Sequence, residues 1–82
     1  MTELVYSDHA VEWLEKAEPG TRERIVKKLD SIQDFPEHYL KRLSGSPYHR
    51  LRVGDYRVII DWRKDDDELQ VREIKHREGA YD

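Results

Sequence analysis

Between residues 48 and 62 hydrophobic and polar positions alternate with a period of two, and the parity flips once, at Gly54-Asp55. A pair of that kind suits a two-residue β-hairpin loop. Counting outward from the loop opposes Val53 to Tyr56, Arg52 to Arg57, Leu51 to Val58, Arg50 to Ile59 and His49 to Ile60. Leu51, Val53, Tyr56, Val58, Ile60 and Trp62 then share a face with the apolar content of a core-facing sheet. Tyr48, Arg50, Arg52, Arg57 and Asp61 share the other.

The rest of the chain supplies elements to cover the apolar face. Leu4-Val5-Tyr6 predicts a short strand. Ser7 or Asp8 caps a helix whose Ala10, Val11, Leu14 and Ala17 lie on one side. Glu18-Pro19-Gly20 interrupts it, and Thr21 caps a second helix carrying Ile25, Val26, Leu29 and Ile32 at three- and four-residue spacing, before Phe35-Pro36. Residues 36–47 predict a loop with a brief turn between Tyr39 and Leu43. Asp65-Asp66-Asp67 predicts a polar turn. Leu69 to Lys75 predicts a further strand in which Val71 and Ile74 break strict alternation, so that a bulge would switch its faces. The expected architecture is α+β: an N-terminal strand and a two-helix antiparallel hairpin packed on one face of a mainly antiparallel three- to four-stranded sheet, with the arginine face open.

Length and composition narrow this further. Residues 1–82 predict a single domain. The absence of cysteine excludes a disulfide framework and a cysteine zinc site. The chain shows neither a basic start followed by an apolar run nor a stretch near the ~20 apolar residues of a membrane helix, so a soluble cytoplasmic protein without a membrane partner is expected. His9, His38, His49 and His76 lack metal-ligand spacing, the triple aspartate reads as a solvated turn, and no cofactor fingerprint is present; no cofactor or metal is expected.

The net charge of −3 argues against a uniformly basic nucleic-acid binder, but its distribution is uneven. Residues 1–20 hold five acidic side chains against Lys16, whereas residues 41–64 hold Lys41, Arg42, Arg50, Arg52, Arg57, Arg63 and Lys64 against Asp55 and Asp61. Arg52 and Arg57, placed side by side, repel by some tenths of a kcal/mol. Two explanations compete: an anionic partner, phosphate first among the candidates, or a solvated face neutralised by Asp61, Glu73 or Glu78.

The order strand, helix, helix, strands, the Tyr48–Ile60 hairpin with its tyrosine, arginines and glycine, and a C-terminal His76-Arg77 followed by Tyr81 resemble the RelE/ParE superfamily of toxins, more closely its RelE branch. The resemblance spans nearly the whole chain. It implies a ribosome-dependent endoribonuclease, the toxin of a type II toxin–antitoxin pair, that cuts mRNA in the ribosomal A site with contacts to 16S rRNA. A cognate antitoxin would hold it inactive, the chain being a monomer or part of a toxin–antitoxin hetero-oligomer. Within the superfamily the alternatives are a ParE-like inhibitor of DNA gyrase, or an inactive homologue that only binds RNA or a partner. Arg57 matches the family's sheet arginine at the cleavage site, Arg77 its second active-site arginine and Tyr81 its C-terminal tyrosine. Arg50 stands where other members carry a catalytic lysine; arginine cannot shed its proton near neutrality as a perturbed lysine can.

Metal-free RNA cleavage requires a base for the 2′-hydroxyl proton, positive charge around the phosphorane and an acid for the departing 5′-oxygen. Arg50, Arg52, Arg57 and Arg77 suit the middle task, because forked guanidinium donors match phosphate oxygens. Tyr81 and His76 are the two candidates for proton transfer; Tyr81 serves equally for stacking on an unpaired base. Arg52, Tyr48, His76, Lys41 and Arg42 are the candidate RNA-contacting residues, with Arg50, Arg57, Arg77 and Tyr81 as the catalytic set.

Overall fold

A computed structural model describes residues 2–76. Arg77, Glu78 and Tyr81 lie outside the described residues. The chain runs β1 (Glu3–Tyr6), α1 (Asp8–Lys16), α2 (Pro19–Ser31), α3 (Pro36–Tyr39), β2 (Lys41–Arg42), β3 (His49–Val53), β4 (Tyr56–Arg63) and β5 (Glu68–His76), with one 3₁₀ turn at Lys64–Asp66. Five strands form one sheet in the order β1-β5-β4-β3-β2, parallel between β1 and β5 and antiparallel elsewhere. This is α+β with helices on one face. No helix among the described residues is long and apolar enough to cross a membrane.

The hairpin register matches the sequence expectation at every position: His49 opposes Ile60, Arg50 Ile59, Leu51 Val58, Arg52 Arg57 and Val53 Tyr56. Gly54 takes φ +58° at the first loop position, where a residue with a Cβ is strained by about 1–2 kcal/mol. Leu51, Val53, Val58 and Ile60 are buried beneath Ala10 and Leu14 of α1, Ile25 and Leu29 of α2 and Ile32 at its C-cap, while Tyr56 and Trp62 are half-buried at the core margin. His49 also faces this side; its ring meets Trp62 edge-on with centroids 5.4 Å apart.

Three local expectations change. The second helix begins at Pro19 rather than after a Thr21 cap, because proline fits the first helical position, where its missing N–H costs nothing. Its Arg22 reaches back to α1, donating to the carbonyls of Leu14 (2.8 Å) and Ala17 (3.2 Å), which ties the two helices together where α1 ends. The 36–47 loop contains α3 and then the two-residue strand β2, which extends the sheet to five strands instead of three or four. Two residues are too short for a periodicity signal, and only β3 beside them makes them a strand.

The decisive irregularity lies in β5. Ile59 pairs with Glu73 and Ile60 with Val71, so Arg72 is an extra residue between them. This β-bulge lets Leu69, Val71 and Ile74 all point into the core despite their spacing. Ser7 braces it: its hydroxyl donates to the Arg72 carbonyl (2.7 Å) and accepts from the Ala10 N–H (3.1 Å), while its own N–H donates to the Val71 carbonyl (2.9 Å). One residue thus caps α1 and holds the bulge.

Candidate nucleic-acid interface

The face turned away from the helices is read row by row from the register. Arg52, Arg57 and Lys75 stand abreast across β3, β4 and β5; the next row is Lys41, Arg50, Ile59 and Glu73. Arg52 is exposed, and Arg50 and Arg57 are half-buried. The two carboxylates nearest in register already have partners: Asp61 accepts from Arg63 at 3.2 Å, and Glu73 lies 3.9 Å from Lys75, so Lys75 is offset within the row. Among the described residues, Arg50, Arg52, Arg57 and Lys41 have no ion-pair partner within 4.0 Å. Their guanidinium and ammonium donors remain available to an outside anion.

A concavity of about 320 Å³ opens between Tyr39, Lys41, Arg50 and Arg52. Lys41 and Arg50 are therefore brought together by the β2–β3 pairing, which sequence spacing alone does not give. Tyr48 lies at the border of the face with the Arg72 guanidinium 4.6 Å over its ring, so one of its π-faces is covered by the protein itself. Ile59 shares the open face yet is only 7 % exposed, and gives the row of cations a firm floor.

Two expected RNA-contacting residues stand elsewhere. His76 pairs in register with Tyr56 on the helix side, its ring edge-on to Tyr56 at 5.0 Å, and lines a cleft with Trp13, Lys16, Ala17, Glu18 and Thr21. Arg42 pairs with His49, also on the helix side, and donates to the Ser46 carbonyl (3.4 Å). The bulge is the cause for His76: without the extra residue, strict alternation from Leu69 would send His76 to the arginine face and Lys75 to the core. A one-residue slip exchanges faces for everything beyond it. Lys75 is accordingly the cation missed in the sequence, and the break between Val71 and Ile74 was the signal that could have found it. Arg77 and Tyr81 lie outside the described residues.

Among the described residues of the sheet, two groups have a displaced proton affinity: burial and then the charge of Asp30 raise the pKa of the Tyr6 hydroxyl on β1, and the other is His49. Burial, then the charges of Lys64 and Arg42, press its pKa below the ordinary histidine value, against a smaller opposing pull from Asp61. Its buried Nδ1 has no hydrogen-bond partner. It is a neutral packing ring, remote from proton-transfer duty on the open face.

Comparison with known proteins places this geometry. A family model described as the ParE toxin of the type II toxin–antitoxin system parDE matches residues 4–81. The chain is 31 % identical over 70 residues to a protein of Methanocaldococcus jannaschii that carries the toxin name RelE1, covering 77 % of this chain and 76 % of that one. Among solved structures it is similar to the RelB–RelE antitoxin–toxin complex of Methanococcus jannaschii (25 % identity, TM-score 0.72, 95 % of each chain). It is likewise similar to the archaeal RelE–RelB complex of Pyrococcus horikoshii (23 % identity, TM-score 0.78, 93 % and 94 % of the two chains).

Proposed function

Because the chain belongs to the ParE toxin family of type II toxin–antitoxin systems, we propose that it acts as a ribosome-dependent mRNA endonuclease of the RelE kind. A toxin of such a system has a cognate antitoxin as its partner. The observation that carries the enzymatic reading is the row Arg52, Arg57 and Lys75 with Arg50 behind it, on an open sheet face where the arginines lack carboxylate partners among the described residues.

In the proposed reaction the 2′-oxygen of the mRNA attacks the adjacent phosphorus. The 2′-O–P bond forms, the P–5′-O bond breaks, one proton leaves the 2′-hydroxyl and another reaches the 5′-oxygen. Charge grows on the non-bridging oxygens at the midpoint of this exchange. Fixed guanidinium groups stabilise that charge more than the ground state, which is the condition for acceleration. Arg57 at the centre of the row and Arg50 beside Lys41 are assigned this role, joined by Arg77, and Arg52 grips the flanking backbone. With His76 turned to the helix side, Tyr81 is left as the proton-transfer candidate of the original pair. Arg50 in place of the family's lysine supplies charge and no base.

The test is primer extension on programmed ribosomes in the cytoplasmic extract of a standard translation system. Wild type should cut mRNA in the A site, and Arg57→Ala should slow cleavage by a hundredfold or more with no loss of thermal stability, in keeping with loss of a transition-state donor at about 3–4 kcal/mol. Equal cleavage by the two proteins removes the site assignment. The ParE description of the matching family model favours a second reading, inhibition of DNA gyrase without chemistry. Loss of supercoiling activity with intact mRNA would select it.

A further inference from the structure

The open face is not the end of the positive surface. Arg24, Lys27 and Lys28 occupy successive positions on one side of α2, within about 6 Å along the helix axis. Together with Ser31, Arg52, Val53 and Gly54 they line a groove of about 470 Å³. The Arg24 guanidinium lies directly over Gly54, where any Cβ would collide with it. Gly54 therefore serves twice, giving the hairpin its positive φ and seating Arg24 against the turn. Lys28 rests over the Tyr39 ring at 4.6 Å, and Tyr39 also lines the neighbouring concavity with Lys41, Arg50 and Arg52. Arg52 belongs to both grooves.

We infer that the α2–hairpin groove is a second phosphate-binding surface, taking the sugar-phosphate backbone of the substrate RNA strand where it leaves the open face past Arg52. This rests on the RNA-directed reading above. Continuity through Arg52 points to the same strand rather than a separate molecule. The chemistry points to a polyanion: Val53 is the sole hydrophobic side chain lining the groove and is 5 % exposed, so a folded peptide finds no apolar anchor there. Among the described residues the one carboxylate paired with these cations, Glu23 at 4.0 Å from Lys27, is a solvent-exposed contact that a phosphate can displace.

The experiment compares the wild type with the triple variant Arg24→Gln, Lys27→Gln, Lys28→Gln, and with an equal-charge control, Lys16→Glu, Lys64→Gln. Binding to a short fluorescent single-stranded RNA is followed across a salt series, and binding to vacant ribosomes in parallel. The groove variant should bind the short RNA about tenfold or more weakly at low salt, and its log K against log salt slope should flatten by about 2, three contacts at ~0.7 each. The control should match wild type. An unchanged slope in the groove variant overturns the proposal. So does a defect confined to vacant ribosomes, which would assign the groove to ribosomal RNA. Arg57→Ala keeps the outcomes separate: short RNA bound but mRNA uncut on programmed ribosomes in that variant reports on the cleavage site, whereas a defective groove variant beside an active wild type reports on the groove alone. All variants are checked for an unfolding temperature no lower than that of wild type.

Discussion

Arg57 faces a like charge, Arg52, on β3, while Lys75 on its β5 side is offset by Glu73 at 3.9 Å, and relieving the Arg52–Arg57 pair should make the fold more stable while disabling it. Cross-strand neighbours start ~5 Å apart at Cβ, and long side chains splay to about 7 Å at their charged ends. Coulomb's law in water then gives ~0.6 kcal/mol per pair. Screening leaves about 0.5 kcal/mol of this at 10 mM salt, 0.3 at 0.1 M and under 0.1 at 1 M. Arg57→Gln removes the one uncompensated pair, so it should stabilise by about 0.5 kcal/mol at 10 mM salt and by under ~0.1 at 1 M. For a chain of this size the low-salt gain corresponds to about 2–4 °C in unfolding temperature. Urea unfolding of wild type, Arg52→Gln, Arg57→Gln and the double variant at the two salt concentrations closes the cycle, with an expected repulsive coupling of about 0.5 kcal/mol at low salt. Destabilisation by Arg57→Gln, or a gain that persists in 1 M salt, would refute the view of Arg52 and Arg57 as an uncompensated cationic pair, and the phosphate argument with it.

Two further outcomes follow from the bulge and the core. Ser7→Ala loses both a helix cap and the brace on the Arg72 carbonyl. It should cost about 1–2 kcal/mol in urea unfolding, and Ser7→Thr should recover part of that; a loss within a few tenths would mean the bulge holds itself. His49 has its pKa pressed below the ordinary value, so at high pH it is neutral in both states and contributes no pH dependence. As pH falls through ~6.5 the unfolded chain takes up the proton first, and stability should drop until the folded His49 titrates as well. Thermal scans between pH 7 and 5 should show this slope in wild type and a flatter one in His49→Phe; identical slopes would place the titration elsewhere.

The hairpin was legible residue by residue because a two-residue loop leaves no freedom in counting. Once Gly54-Asp55 is the turn, both the pairings and the faces of Arg50, Arg52 and Arg57 follow. The helical hairpin and its buried Ala10, Leu14, Ile25 and Leu29 were legible from periodicity, and the glycine from its place in the turn. His76 and Lys75 were not, although the irregular spacing of Val71 and Ile74 already raised a bulge as the way to switch faces. Its position at Arg72 is chosen by partners far away in the chain, the Ile59 and Ile60 pairings and the Ser7 brace, and that choice exchanges which of two adjacent side chains meets the arginines. The joining of Arg24, Lys27 and Lys28 to Arg52 has the same character. Local pattern determines which way a side chain points from its own element, since that depends on dihedral periodicity alone. Which cations end up sharing a groove depends on how elements distant in sequence dock, and only the packed structure decides that.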